Sequence, residues 1–310
     1  MLTITELAMA FGPKLLFTDV NLNLNSGNRY GLVGANGAGK TTFLKVLAGE
    51  EEPCLGEVTL VKRSRVGMLR QDQFRFENTP IINTVIAGKK ALWDALCEKE
   101  ELLAREICDE ATGYRLGELE EIIMHNDGYN AEFVAVELLV GLGIKEEYHY
   151  EPLKILSGGY KLRVLLAQSL FDAPDILLLD EPTNYLDILS IRWLREFLKS
   201  FDGEVILITH DRDFMNSVCT HTMGIIRKNA FIIAGSTTKF FEQLAANEEH
   251  YMKQKEAQDK KIKDLEEFIA KNKARAATAT LAQSKVKILE KMEVMEDIVY
   301  EKDLKFDFNY

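Results

Sequence analysis

The sequence predicts an α/β core in which helices cover both faces of a parallel sheet, and three observations carry that prediction. Ile176 to Leu179 and Val205 to Thr209 are uninterrupted apolar runs of strand length, the pattern of strands buried on both faces. A helical stretch, Ile188 to Phe201, separates them, and strands alternating with helices imply parallel pairing. Near the N-terminus, Arg29 to Val33 reads as a short strand. It runs through a Gly-rich turn into a helix over Thr41 to Gly49, with Phe43, Leu44 and Leu47 on one face.

The other elements fall around that core. Val20, Leu22 and Leu24 alternate with Asn21, Asn23 and Asn25, a half-buried strand, and Gly56 to Leu60 and Arg65 to Leu69 are further strands, so residues 1–82 are mainly β. From about Asn83 the period turns helical, with apolar positions Leu92, Leu96, Leu102 and Leu103 and Glu-rich faces. This predicts a helical subdomain over about 83–170, inserted in a domain spanning 1–235 that closes on a hairpin of Met223 to Ile226 and Phe231 to Ala234. Residues 236–310 read as a separate appendage, strongly helical and without Pro. Ile262, Leu265 and Ile269 mark one apolar stripe; Val286, Leu289, Met292 and Met295 mark a second. Two long antiparallel helices with a turn near Ala276 to Gln283 are expected.

Bulk composition excludes several classes. With 46% hydrophobic and 28% charged residues the chain is neither disordered nor fibrous. A net charge of −11 speaks against a whole-molecule grip on nucleic acid, although a local basic patch remains compatible with it. Cys54, Cys97, Cys108 and Cys219 form no CxxC pair and have no His at zinc-finger spacing, which predicts buried free thiols in a reducing compartment. The first residues, Met1 to Glu6, lack a basic and then apolar signal pattern, and the apolar run from Val134 to Ile144 is too short to span a bilayer. The expectation is a soluble cytoplasmic protein.

The chemistry concentrates in two segments. Gly34-Ala35-Asn36-Gly37-Ala38-Gly39-Lys40-Thr41, followed by Thr42, is a P-loop set between a strand and a helix. Its glycines let successive backbone N–H groups wrap a polyphosphate, and the helix adds its positive dipole end to the same anion. Lys40 is expected on the β- and γ-phosphates of ATP, and the Thr41 hydroxyl on Mg²⁺. The second segment, Ile176 to Glu181, buries four apolar residues and ends on two carboxylates at the strand's C-terminal edge, where open parallel sheets bind ligands. Asp180 is expected to hold Mg²⁺, and Glu181 to orient or deprotonate the attacking water.

Further segments carry a resemblance. Leu156-Ser157-Gly158-Gly159-Tyr160 resembles the signature motif of ATP-binding cassette domains, and it stands just before the carboxylate-bearing strand, as in that superfamily. Gln71 fits the Q-loop, a Mg²⁺ and catalytic position; Asp187 fits the D-loop aspartate; His210 fits the switch histidine. Phe11 is placed like the aromatic that stacks on adenine. The resemblance covers residues 1 to about 235. It implies a P-loop NTPase fold of the ABC nucleotide-binding type, with an antiparallel β subdomain, an inserted helical subdomain and a C-terminal helical hairpin. In such cassettes ATP lies between the P-loop of one domain and the signature of another, so Ser157, Gly158 and Gly159 are expected to act in trans.

Glu181-Pro182-Thr183-Asn184-Tyr185-Leu186-Asp187 is similar to the ABC-F form of the D-loop, usually EPTNHLD; Tyr185 departs from it, and Tyr160 departs from the commoner Gln or Glu after the signature glycines. Proteins of that family join two cassettes by two long helices whose tip is placed against ribosomal RNA and P-site tRNA. Here Phe268 to Leu289 holds Lys271, Lys273, Arg275, Lys285 and Lys287 and no acidic residue, a directed phosphate-binding patch. The resemblance implies ribosomal partners and a second cassette, in cis or as a dimer partner, and the chain reads as the N-terminal half of a two-cassette protein. The segment from Lys89 to Asn130 is a candidate ribosome-contacting arm, although Glu98, Glu100, Glu101, Glu118, Glu120 and Glu121 match RNA poorly. The ATP-binding subunit of a membrane transporter is the alternative, against which the Asn-Tyr-Leu-Asp segment and the basic hairpin both argue. A DNA-repair ATPase would be expected to carry zinc sites or far longer coiled coils.

Overall fold

The computed structural model describes residues 2–61, 64–69, 76–104 and 109–272, together with Ser284 and Val286. The chain divides into two compact units, Met1–Thr237 and Thr238–Tyr310. In the first, strands β1 (Leu2–Phe11), β2 (Lys14–Leu24) and β3 (Arg29–Gly34) lead into helix α1 (Lys40–Leu47), followed by β4 (Leu55–Leu60) and β5 (Val66–Met68). Helices α2 (Ile81–Ile86), α3 (Lys90–Leu103), α4 (Glu110–His125), α5 (Ala131–Gly141) and α6 (Gly158–Phe171) follow. The chain then alternates through β6 (Ile176–Asp180), α7 (Ile188–Ser200), β7 (Glu204–Ile208) and α8 (Arg212–Val218), and ends the unit on the hairpin β8 (His221–Ile226) and β9 (Asn229–Ala234).

The strands form two sheets. One is antiparallel, in the order β2-β1-β4; the other has the order β5-β6-β7-β3-β8-β9 and is parallel except at the β8–β9 hairpin. Alternation of side chains along buried strands supplies both faces of the larger sheet. Leu177, Leu179, Val205 and Leu207 point into a core shared with the inserted helices, α7 and α8. Ile176, Leu178, Ile206 and Ile208 point the other way, into a core shared with α1 and the antiparallel sheet through Phe17, Phe43 and Leu44. The apolar runs read from sequence are thus continuous because each residue has a packing partner whichever way it faces.

Expected and observed elements differ in detail. Leu103 was expected on an apolar stripe, but it is the last residue of α3 and is 63% exposed, because the helix ends before its side chain meets the insertion's core. Cys54 was expected buried; it precedes β4 and is exposed, while Cys97 and Cys219 are half-buried free thiols. Burial pushes the Cys219 thiol up to about 12. Cys108 lies outside the described residues.

Helix α9 (Thr237–Asn272), of 36 residues, carries the chain from the end of the first unit through most of the described part of the second. Ile262, Leu265 and Ile269 recur on one stripe of it as half-buried positions. The expected turn at 276–283 and, apart from Val286, the second stripe lie outside the described residues. No helix among the described residues is long and apolar enough to cross a membrane.

The first and last of the inserted helices, α2 and α6, approach each other closely. A Cβ on Gly88 would stand 2.2 Å from the backbone oxygen of Gln168, whose side-chain amide donates to Thr84 O at 2.7 Å. Backbone cannot yield there as a side-chain tip would. Gly88→Ala should cost about 1–3 kcal/mol as an overpacking change, read as a lowered thermal midpoint; an unchanged melt would show that the two helices separate freely.

Candidate functional site

The site is built where strand ends meet. β3 ends at Gly34, and the chain turns through residues 35–39 into α1. Gly39, the residue before α1, has φ 95°, a conformation that only glycine adopts without strain, and a Cβ there would press on Leu16 Cβ at 3.1 Å. The Lys40 ammonium folds back over the turn and donates to Gly34 O at 3.0 Å and Ala35 O at 3.2 Å. Burial lowers its affinity for a proton, against the opposing pull of Glu181 and Asp180.

Asp180 ends β6, two strands from β3 across β7. Its Oδ2 accepts from Thr41 Oγ1 at 2.7 Å, so residues 139 apart in sequence are in direct contact. Glu181 follows at φ 51°, a left-handed backbone that a non-glycine residue adopts only when its surroundings hold it. Here its N–H donates to Ile208 O at 2.9 Å. The Glu181 carboxylate accepts from the His210 N–H at 3.3 Å and lies 3.3 Å from His210 Nε2. Burial raises the Glu181 carboxyl above the ordinary carboxylate range, with His210 acting in the opposite direction.

These groups share one cleft of about 430 Å³, lined by Phe11, Asn36, Gly37, Gly39, Lys40, Thr41, Thr42, Asp180, Glu181 and His210 among others. Phe11 stands at the end of β1 and is 51% exposed. Ser157, Gly158 and Gly159 do not line this cleft. Ser157 precedes α6 and makes no side-chain cap bond, which leaves the helix N-terminus uncapped by it. Gly159 lies against Tyr185, 3.4 Å from a Cβ placed on the glycine to that of the tyrosine. Asp187 caps α7, accepting from Ser190 N at 2.9 Å. Gln71, Lys273, Arg275, Lys285 and Lys287 lie outside the described residues, and Lys271 falls in the last turn of α9.

Two residues that the motif reading passed over belong to these clusters. Arg163, its side chain only 8% exposed, donates to Tyr185 O at 2.9 Å, to Leu142 O at 3.1 Å and to Asp187 Oδ2 at 2.9 Å, with its guanidinium 4.7 Å from the Tyr160 ring centroid. One cation therefore ties the signature turn, the D-loop and the end of α5 together. A basic residue among the apolar positions Val164, Leu166, Ala167 and Leu170 of one helix was the available signal. The other is Lys14, which lines the cleft from the first position of β2.

A parallel sheet with a P-loop, a facing carboxylate pair and a separate Ser-Gly-Gly helix start defines an ATP-binding cassette. Residues 17–184 match the ABC transporter family model, and the chain belongs to that family. A second model of the same description matches residues 225–308. The similarity falls on the F type. The chain is 42% identical over 296 residues to the Probable ATP-binding protein YbiT of Escherichia coli O157:H7, covering 96% of this chain and 56% of that one. It is 32% identical to ATP-binding cassette sub-family F member 3 of Homo sapiens, covering 97% and 42% respectively. The chain thus spans about half the length of these relatives. Among solved structures, an ATP-binding subunit of an ABC transporter superposes with a TM-score of 0.58 at 18% identity, over 79% of this chain and 93% of that one. A dimeric cassette in a post-hydrolysis state with ADP and Pi gives 0.53 at 18% identity, over 76% and 98%. Both agree in fold.

The Ser190 N–H and Arg163 hold the Asp187 carboxyl down at about 2, below its ordinary 3.8. A depressed folded value means that its contribution to stability is complete above about pH 4 and is lost as pH falls toward 2. Comparing urea unfolding of wild type and Asp187→Asn should give a gap at pH 5 that narrows by pH 2.5; a gap constant across that range would place the stabilisation elsewhere.

Proposed function

We propose that the chain is the N-terminal cassette of an ABC-F ATPase that binds Mg²⁺-ATP in the cleft and hydrolyses it once a second cassette supplies its signature motif. The observation that carries this reading is the 2.7 Å contact between Thr41 and Asp180 beside the Glu181–His210 pair. A hydroxyl and a carboxylate are hard oxygen donors, and a cation that keeps several waters and takes one or two protein oxygens suits them. Thr41 and Asp180 would hold Mg²⁺, which when bound neutralises charge between the β- and γ-phosphates. Phe11 offers a face to adenine, and the N–H groups of residues 35–41 and Lys40 take the phosphates.

Glu181 would act on water. Its backbone is fixed by Ile208 and its carboxylate by His210, so it can orient a nucleophile at the γ-phosphate and accept its proton. The raised proton affinity from burial favours that acceptance. Ser157, Gly158 and Gly159, outside the cleft, are free to face the nucleotide of a partner cassette, with Asp187 beside them.

The same reading extends to the ribosome. It is supported by the F-type relatives and by the linker composition, where Lys271, Lys273, Arg275, Lys285 and Lys287 give Phe268 to Leu289 five positive charges and no acidic residue. A cassette pair closing on ATP would set the position of that linker against ribosomal RNA and P-site tRNA. Against the transporter alternative stand the Asn-Tyr-Leu-Asp segment and the basic linker, and the structural likeness to transporter subunits extends to fold alone.

In the two-cassette protein, Glu181→Gln should retain ATP and co-sediment with ribosomes several-fold more than wild type. Equal sedimentation in ATP would remove the ribosomal reading. For the isolated chain, Asp180→Asn should abolish the tightening of ATP binding by Mg²⁺ while leaving metal-free binding in place; a persisting Mg²⁺ effect would move the metal site away from this carboxylate.

A further inference from the structure

We propose that Lys14 is a nucleotide-binding residue that grips the phosphates nearest the ribose, a role set by its pairing with Phe11 in one hairpin. This rests on the reading of the cleft as an ATP site and names a contact that the P-loop motif does not include.

The placement follows from strand geometry. β1 and β2 are joined by a two-residue turn, Gly12-Pro13, with Gly12 at φ 56°, and Phe11 pairs directly with Lys14 across it. Residues directly opposite in an antiparallel pair point to the same face, with Cβ atoms about 5 Å apart. The hairpin therefore presents an aromatic face and a cation side by side to the cleft, and both line it. The Lys14 ammonium reaches the P-loop itself: a Cβ built on Gly37 would stand 3.4 Å from Nζ.

Partnering in the cleft points the same way. Lys40 donates to two carbonyls, Thr41 to Asp180, and His210 meets Glu181. Lys14 has no hydrogen-bond or ion-pair partner among the described residues, although three donors sit on its ammonium. The carboxylates of the cleft, Asp180 and Glu181, gather around Thr41 and His210 rather than around Lys14. The exposed Lys14 ammonium is thus a donor open to an anion at this corner of the cleft.

Position along the nucleotide then decides which anion. With the base on Phe11 and the terminal phosphate toward Lys40, Thr41 and Asp180, a cation between Phe11 and Gly37 meets the α- and β-phosphates. Lys14 thus differs from Lys40, which serves the transferred end. It should hold ADP as firmly as ATP and contribute nothing to a ligand without phosphate.

Calorimetric titration of the 310-residue chain with Mg²⁺-ATP, Mg²⁺-ADP and adenosine tests this. Lys14→Ala should weaken ATP and ADP by a common factor of about ten, the scale of one charge-assisted hydrogen bond. It should leave adenosine unchanged, and Lys14→Arg should restore most of the loss. Because Lys14 is exposed, both variants are expected to keep the wild-type melting profile. Equal ATP affinity of wild type and Lys14→Ala overturns the proposal. A loss shared by adenosine would instead make Lys14 a support for the Phe11 platform, and a loss confined to ATP would put it on the γ-phosphate; either result also overturns it. If wild type binds none of the three, the reading of the cleft falls first and this assignment with it.

Discussion

The parallel register of β6, β7 and β3 is the constraint on which the rest depends. Leu179 pairs with Leu207, Asp180 with Ile208 and Gly31 again with Leu207, so the three strands reach the same edge together. From that edge the P-loop, the carboxylate pair and His210 emerge within reach of one another. A slip of one residue would turn every side chain to the opposite face. It would exchange Leu178 for Leu179 between two cores packed against different layers. The apolar packing that fixes the fold is therefore also what fixes the distance from Thr41 to Asp180.

Charge in the cleft is arranged rather than merely accumulated. Two carboxylates stand at one end, joined to a hydroxyl and an imidazole, while a lysine folded onto carbonyl oxygens stands between them and the turn. Desolvation moves Lys40 and Glu181 in opposite directions on the pH scale, each toward its neutral form, and each resists through the other's charge. The left-handed backbone at Glu181 belongs to the same arrangement: there the N–H meets Ile208 at the end of β7 and the carboxylate meets His210 just beyond it.

Much of this was legible in the sequence because it is local. A Gly-rich turn between strand and helix, or four apolar residues ending on two acids, encodes its own conformation, and the order of elements followed from period alone. What was not legible depended on contacts made across the fold. Arg163 looked like one more basic residue after the signature glycines, and only its burial against Leu142, Tyr185 and Asp187 gives it a part. Lys14 sat in an unremarked turn until its strand was paired. Leu103 and Cys54 failed in the other direction: hydrophobic type suggested burial, but a helix end and a strand approach left both at the surface.

Arg163 also has a thermodynamic meaning. A single guanidinium that bonds Tyr185, Asp187 and Leu142 while lying against Tyr160 makes three segments share one set of hydrogen bonds. Loss of the guanidinium would release hydrogen bonds in all of them at once, so substitutions at Arg163 and at Asp187 act on one shared network and are not additive.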